Sequence, residues 1–173
     1  MTLRGITLGN LVDYARKTGD FEAAQRYAAQ ALEFAQTAGY RALASGLKLD
    51  LVHFALERGD LMTARAELAV AMTIAMAIGR PTLQVAGIAW FAEILAAQGE
   101  PECACRVLNF AIEHPSTHAP AKAEYCARLE QWKCASPASA APAGLGFDEL
   151  VQRIAAEAEI DHTPLVAALR VAA

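Results

Sequence analysis

The chain reads as an all-α protein: three helix pairs of forty residues each, then a capping helix and a tail helix. Three observations predict this. The turn in "RKTGDFEAAQ" returns in "LERGDLMTAR" and in "AAQGEPECAC", which sets Gly19-Asp20, Gly59-Asp60 and Gly99-Glu100 forty residues apart. A fixed period of this length is the signature of a repeat architecture. Hydrophobic residues make up 55% of the sequence but aromatic ones only 7%, with alanine supplying much of the difference. Such chains favour close-packed helices over pleated sheets, which need β-branched and aromatic cover. Finally, Ala24, Ala64 and Ala104 hold one repeat position, and Ala31, Ala71 and Ala111 another. A position kept small in every unit marks where neighbouring helices approach most closely.

The punctuation places the elements. Glycine suits the left-handed residue just past a helix end. The acid after it can cap the next helix and meet the positive end of its dipole. Pro101 suits a first helical position. Second breaks fall at Gly39, Gly79 and Pro115, so helices are predicted at 5–18, 21–38, 41–58, 61–78, 82–98 and 101–113. Beyond them "AKAEYCARLEQWKC" reads as a lone amphipathic helix whose Ala123, Cys126, Leu129 and Trp132 cover the open end of the stack. "ASPASAAPAG" has the composition of a flexible linker. "FDELVQRIAAEAEI" gathers Phe147, Leu150, Val151, Ile154 and Ala158 on one side, and Asp161 can cap a further turn through Leu165 and Leu169.

Composition excludes several functions. Net charge is −4 and no Lys/Arg run is present, so neither nucleic acid nor an anionic membrane is an expected partner. The most apolar stretch, 85–97, contains Glu93 and is too short to span a bilayer. No basic, apolar leader opens the sequence, and the four cysteines form no secreted-scaffold pattern. A reducing cytoplasm is the expectation. Cys126 and Cys134 lie two helical turns apart, too far to bridge along an intact helix.

Catalytic chemistry finds no footing. No G-x-S-x-G, phosphate-cradling glycine loop or H-E-x-x-H occurs. His114 and His118 are spaced H-x3-H after Cys103 and Cys105, but the two cysteines point to different sides of a helix. The expectation is no enzyme, no metal and no cofactor.

The Gly-Asp turn followed by Phe21 or Leu61, with the two alanines of each second helix, resembles the tetratricopeptide-repeat (TPR) family. That resemblance implies a right-handed TPR-like solenoid whose first helices line a concave groove and hold peptide segments. Val12, Val52 and Ala92 stand where the family has a small residue, and the unit of forty exceeds the usual length of about 34. Both departures resemble the longer-helix repeats at the C-terminal end of large ATP-dependent bacterial transcriptional regulators of the maltose-regulator type and related predicted ATPases. "LNFAIEHPSTHAPAKAEYCARLEQW" and the closing "FDELVQRIAAEAEI" resemble how such chains finish. The division implied is a TPR-like domain at 1–134, with repeats at 1–40, 41–80 and 81–120 and a cap helix at 121–134. A linker at 135–146 and an amphipathic tail helix at 147–173 follow.

Adding forty reads the groove in columns. Asp13, His53 and Glu93 form one; Arg16 and Leu56, Lys17 and Glu57, and Leu49 extend it. An apolar strip carrying acids and one histidine suits a partner's amphipathic helix. An ordinary imidazole titrates between about pH 5.5 and 7.5, so a binding role for His53 predicts pH-dependent affinity there. On the backs of the units Glu22 becomes Met62, Gln30 becomes Val70 and then Phe110, and Gln36 becomes Met76. With Ala66 these form an apolar stripe, expected to be covered by the tail through Phe147, Leu150 and Ile154 or by a second copy in a homodimer. The functional expectation is a non-catalytic interaction or sensor module of a cytoplasmic bacterial signalling or transcription regulator, binding a partner peptide or helix. A small-molecule effector domain and a structural homo-oligomerisation module are the alternatives.

Overall fold

The computed structural model describes residues 3–134 and 145–156 together with Ala167 and Leu169, and among them the fold is all-helical. Three helix pairs come first: α1 (Leu3–Lys17) with α2 (Phe21–Thr37), α3 (Arg41–Glu57) with α4 (Leu61–Ala77), and α5 (Pro81–Ala97) with α6 (Pro101–Glu113). Then follow α7 (Ala119–Gln131) and α8 (Phe147–Ala156). Each helix from α1 to α7 packs on its successor, apart from the α7–α8 step, and α3 also packs on α5. The expected cap at Asp161, the turn at Leu165, His162 and most of the linker lie outside the described residues.

The repeated turn works through its backbone. Gly19, Gly59 and Gly99 have φ of 77°, 70° and 84°, a region that costs a side chain with a Cβ. That conformation lets the next amide turn back: Asp20, Asp60 and Glu100 donate to the carbonyls of Ala15, Ala55 and Leu95 at 2.9–3.0 Å, as in a Schellman-type helix end. The following helix is capped by the acid in the first two turns only. The carboxylates of Asp20 and Asp60 accept from the amides of Ala23 and Thr63 at 3.0 Å. Glu100 makes no such cap, against expectation. Its carboxylate instead accepts from the Cys103 thiol at 4.0 Å. Replacing Asp20 with alanine is expected to lower stability by about 1 kcal/mol in urea denaturation, while asparagine, which keeps an acceptor, costs a few tenths.

The small positions behave as tight contacts. Ala24, Ala64 and Ala104 are wholly buried, as are Ala31, Ala71 and Ala111 to within 1%. Two cores result, and α3 serves both. Its Ala44, Leu47 and Phe54 join α1 and α2, while Leu49, Val52 and Ala55 face α4, α5 and the rest. The first core is mostly alanine; the second is built on Leu68, Met72, Ile88, Phe91 and Leu95. At one point backbone and sulfur meet: a Cβ at Gly87 would overlap the Met72 thioether. Ser45, fully buried, donates to the carbonyl of Ala71 at 2.9 Å and ties α3 to α4.

The tail is part of the second core. Leu150, Val151 and Ile154 are buried to within 2%, and α8 packs on α4 and α5. Phe147 stacks on His114 with ring centroids 4.1 Å apart, and Arg106 donates to the Leu169 carbonyl. Of the expected apolar stripe, Phe110 is buried and Met76 packs on the core. Met62, Val70 and Ala66 remain exposed.

One expectation is corrected at α7. Its packed side is Tyr125, Leu129 and Trp132, whereas Ala123 and Cys126 are exposed. And Cys105, in α6, forms a disulfide with Cys134, just past the end of α7, with Cα atoms 6.0 Å apart. The bond joins two elements brought together by the chain reversal between α6 and α7. No spacing along a single helix encodes that meeting.

Candidate functional site

Side chains of α1, α3 and α5 meet those of α6 and α7 around one opening. Between them opens a cavity of about 300 Å³. Its floor is apolar, with Leu49 from α3, Ala89 from α5 and Leu108 from α6. Its walls are aromatic and charged: Trp90 and Glu93 from α5, Asp50 from α3, Arg16 from α1, and Glu124, Tyr125 and Arg128 from α7. The spacing of one helical turn explains each set. Leu49 and Ala89 point inward, while Asp50, Trp90 and Glu93 stand one residue or one turn toward the opening.

Arg16, Leu49 and Glu93 of the expected groove residues line this cavity. The others sit around it. Asp13 is exposed and accepts from Arg16 at 3.4 Å. Lys17 and Glu57 are exposed, and Leu56 packs on the second core. His53 is half-buried among rings: its centroid lies 5.3 Å from that of Trp90, 5.8 Å from Phe54 and 6.3 Å from Phe21. It therefore packs against the Trp90 indole as well as against Phe54 and Phe21. Burial pushes its pKa below the ordinary value against the pull of Glu57, and Arg16 and Arg128 push the same way as burial. Its titration therefore moves toward the acid side of the window expected from sequence.

The electrostatics are uneven. Arg128 is engaged by Glu93, Nε to Oε1 at 2.8 Å, a contact that ties α7 to α5. Arg16 is engaged by Asp13 through one terminal nitrogen only, and its buried Nε has no hydrogen-bond partner among the described residues. Asp50 has neither a hydrogen bond nor an ion pair among the described residues. Burial pushes its pKa from 3.8 to about 6, Asp13 adds to the rise, and Arg16 opposes it. Burial also raises Glu93, against the pull of Arg128 and with a further push from Glu124. The Tyr125 phenol is pushed up to about 12, first by burial and then by Glu124. Two guanidiniums thus face four carboxylates, and those of Asp50 and Glu124 are the uncompensated pair.

Asp50, Trp90, Glu124, Tyr125 and Arg128 are absent from the groove read off the sequence. A signal for the first two existed. Asn10, Asp50 and Trp90 form another forty-residue column, one turn before Asp13, His53 and Glu93. The α7 residues carry no such signal, because α7 lies outside the three repeats.

The two remaining described histidines make local structural contacts. His118 caps α7, its Nδ1 accepting from the amide of Ala121 at 3.2 Å, and His114 is taken up by Phe147. Among the described residues no helix is long and apolar enough to cross a membrane. No family model, no curated protein and no solved structure matches the chain.

Proposed function

We propose that this protein is a non-catalytic recognition module of a bacterial signalling or transcription regulator, built as a TPR-like helix-pair solenoid. It binds a partner peptide along the face formed by α1, α3 and α5. The observation that carries this reading is the cavity at that face, where an apolar floor meets an aromatic wall and charged side chains from separate helices. Peptide-binding surfaces combine these parts: a pocket for an anchoring side chain and a polar surround that sets orientation. The forty-residue period supports the solenoid, since each pair repeats the same turn and the same buried alanines.

The second reading, a small-molecule effector domain, is favoured by α7. It walls one side of the cavity and brings the volume to the lower end of ligand pockets, which run from about 300 to 1,000 Å³. A selection of displayed random peptides against the intact protein separates the two. Under the peptide reading, enriched sequences bind the purified chain and shift the amide resonances of Asp50, Trp90 and Tyr125. Failure to enrich any sequence, or enrichment of sequences that shift only distant resonances, removes it.

A further inference from the structure

We infer that the cavity is a socket for a cationic side chain, the ammonium of a lysine or the guanidinium of an arginine presented by the partner peptide. The inference rests on the peptide reading above and adds the chemistry of the anchor.

Three features converge. The first is unspent negative charge. Arg128 is paired with Glu93 and one nitrogen of Arg16 with Asp13, while Asp50 on α3 and Glu124 on α7 line the cavity and make no ion pair among the described residues; Arg16 acts on Asp50 only from a distance. An anionic or neutral anchor would leave Asp50 as it is; a cation would supply the missing partner. The second is the ring wall. Trp90 and Tyr125 both line the cavity, and an aromatic face attracts a cation within about 6 Å of its centroid, Trp most strongly. His53 packs against Trp90, 5.3 Å between centroids, which gives the indole a neighbour within the protein. The third is the floor. Leu49, Ala89 and Leu108 offer an apolar base suited to the methylene stem of Lys or Arg, whose charged head then reaches the rim. The volume of about 300 Å³ admits such a side chain with room to spare for water.

The guanidinium of Arg128 has a part as well. By holding Glu93 it keeps α7, and with it Tyr125 and Glu124, against α5. The socket is therefore assembled from five helices, and it depends on the docking of α7.

The test uses peptides enriched by the selection, resynthesised with the anchor position varied, and two free probes, agmatine and N-acetyl-lysine amide. The expected result is enrichment of Lys or Arg at one position, with loss of about tenfold or more in affinity when that residue becomes norleucine. Asp50→Asn and Trp90→Ala should each produce a similar loss. Glu130→Gln, which removes one negative charge from the exposed side of α7, should leave affinity unchanged and so separates the socket from net charge. Circular dichroism confirms that each variant is folded. Enrichment of peptides with apolar or acidic anchors overturns the cationic socket and leaves the peptide reading standing. Equal binding by wild type and Asp50→Asn also overturns it. Binding of agmatine with no enriched peptide overturns the peptide source and the reading beneath it. Failure of peptides and probes alike overturns both.

Discussion

Replacing Ile154 with aspartate is expected to lower stability by about 4 kcal/mol or more, the range for loss of a buried side chain compounded by an unpaired buried charge. Ile154 is 2% exposed and shares the second core with Leu68, Met72 and Phe91. The carboxylate has no partner there, so α8 must either leave or bury a charge. Leaving is the cheaper course, because a helix of ten residues is marginal by itself in water. It would uncover the apolar side of α4 on which α8 rests. Urea denaturation should then show a lower midpoint, and a dye that reports apolar surface should bind the folded variant. Gln152→Asp, one turn-position away and exposed, should cost no more than about 0.5 kcal/mol. If Ile154→Asp were as mild as Gln152→Asp, α8 would be an appendage rather than part of the core.

That result also bears on how the sequence divides the chain. A tail separated by a linker of Ala, Ser and Pro reads as a detachable element. The amphipathic pattern of 147–154 was legible, and so was its apolar side of Phe147, Leu150 and Ile154. What it docks on was not, because docking depends on the shape of the groove left beside α4. The same reasoning separates what was legible in the repeats from what was not. Turns are local, and Gly19-Asp20 and Gly59-Asp60 announce both the end of one helix and the cap of the next. Columns follow from the period, so Arg16, Leu49 and Glu93 could be placed on one face without coordinates. The neighbouring column of Asp50 and Trp90 obeys the same rule, but its members share no charge or residue type that marks it.

α7 defeats this logic for a physical reason. It buries no residue fully and touches the body along one edge, so its apolar pattern is weak. Its register is set by the pairing of Arg128 with Glu93, by Tyr125 at the cavity and by the bond from Cys105 to Cys134. All three are contacts between segments distant in sequence. A cavity wall assembled from such contacts has no local signature.

Asp50→Asn is expected to stabilise the protein at neutral pH by up to about 3 kcal/mol and to leave it unchanged at pH 3. The reasoning begins with burial, which raises the carboxyl from 3.8 to about 6. A tenfold change in proton affinity is worth about 1.4 kcal/mol, and the displacement amounts to about 3 kcal/mol. Its sign follows from proton counting. Below the unfolded pKa both states hold the proton, and Asp50 contributes nothing. Between 3.8 and about 6 the folded chain keeps a proton that the unfolded chain has released, so stability falls as pH rises. Above that window the whole penalty is present. Asparagine fills the same space without ionising and escapes it. Asp13 and Arg16 from α1, His53 from α3, Glu93 from α5, and Glu124, Tyr125 and Arg128 from α7 also titrate or carry charge in this neighbourhood. Subtracting the variant's pH profile from the wild type's cancels most of their contribution and leaves that of Asp50. Arg16 offers a second check, since it opposes the rise: Arg16→Gln should deepen the wild-type penalty at pH 7 and do so less in the Asp50→Asn background. A difference profile that is flat between pH 3 and 8 would mean that water reaches the carboxyl fully and its pKa is ordinary. With the expected slope, a side chain that weakens the free protein is one whose charge is satisfied only when a cation arrives, and the variant that gains stability is the one that should lose the ligand.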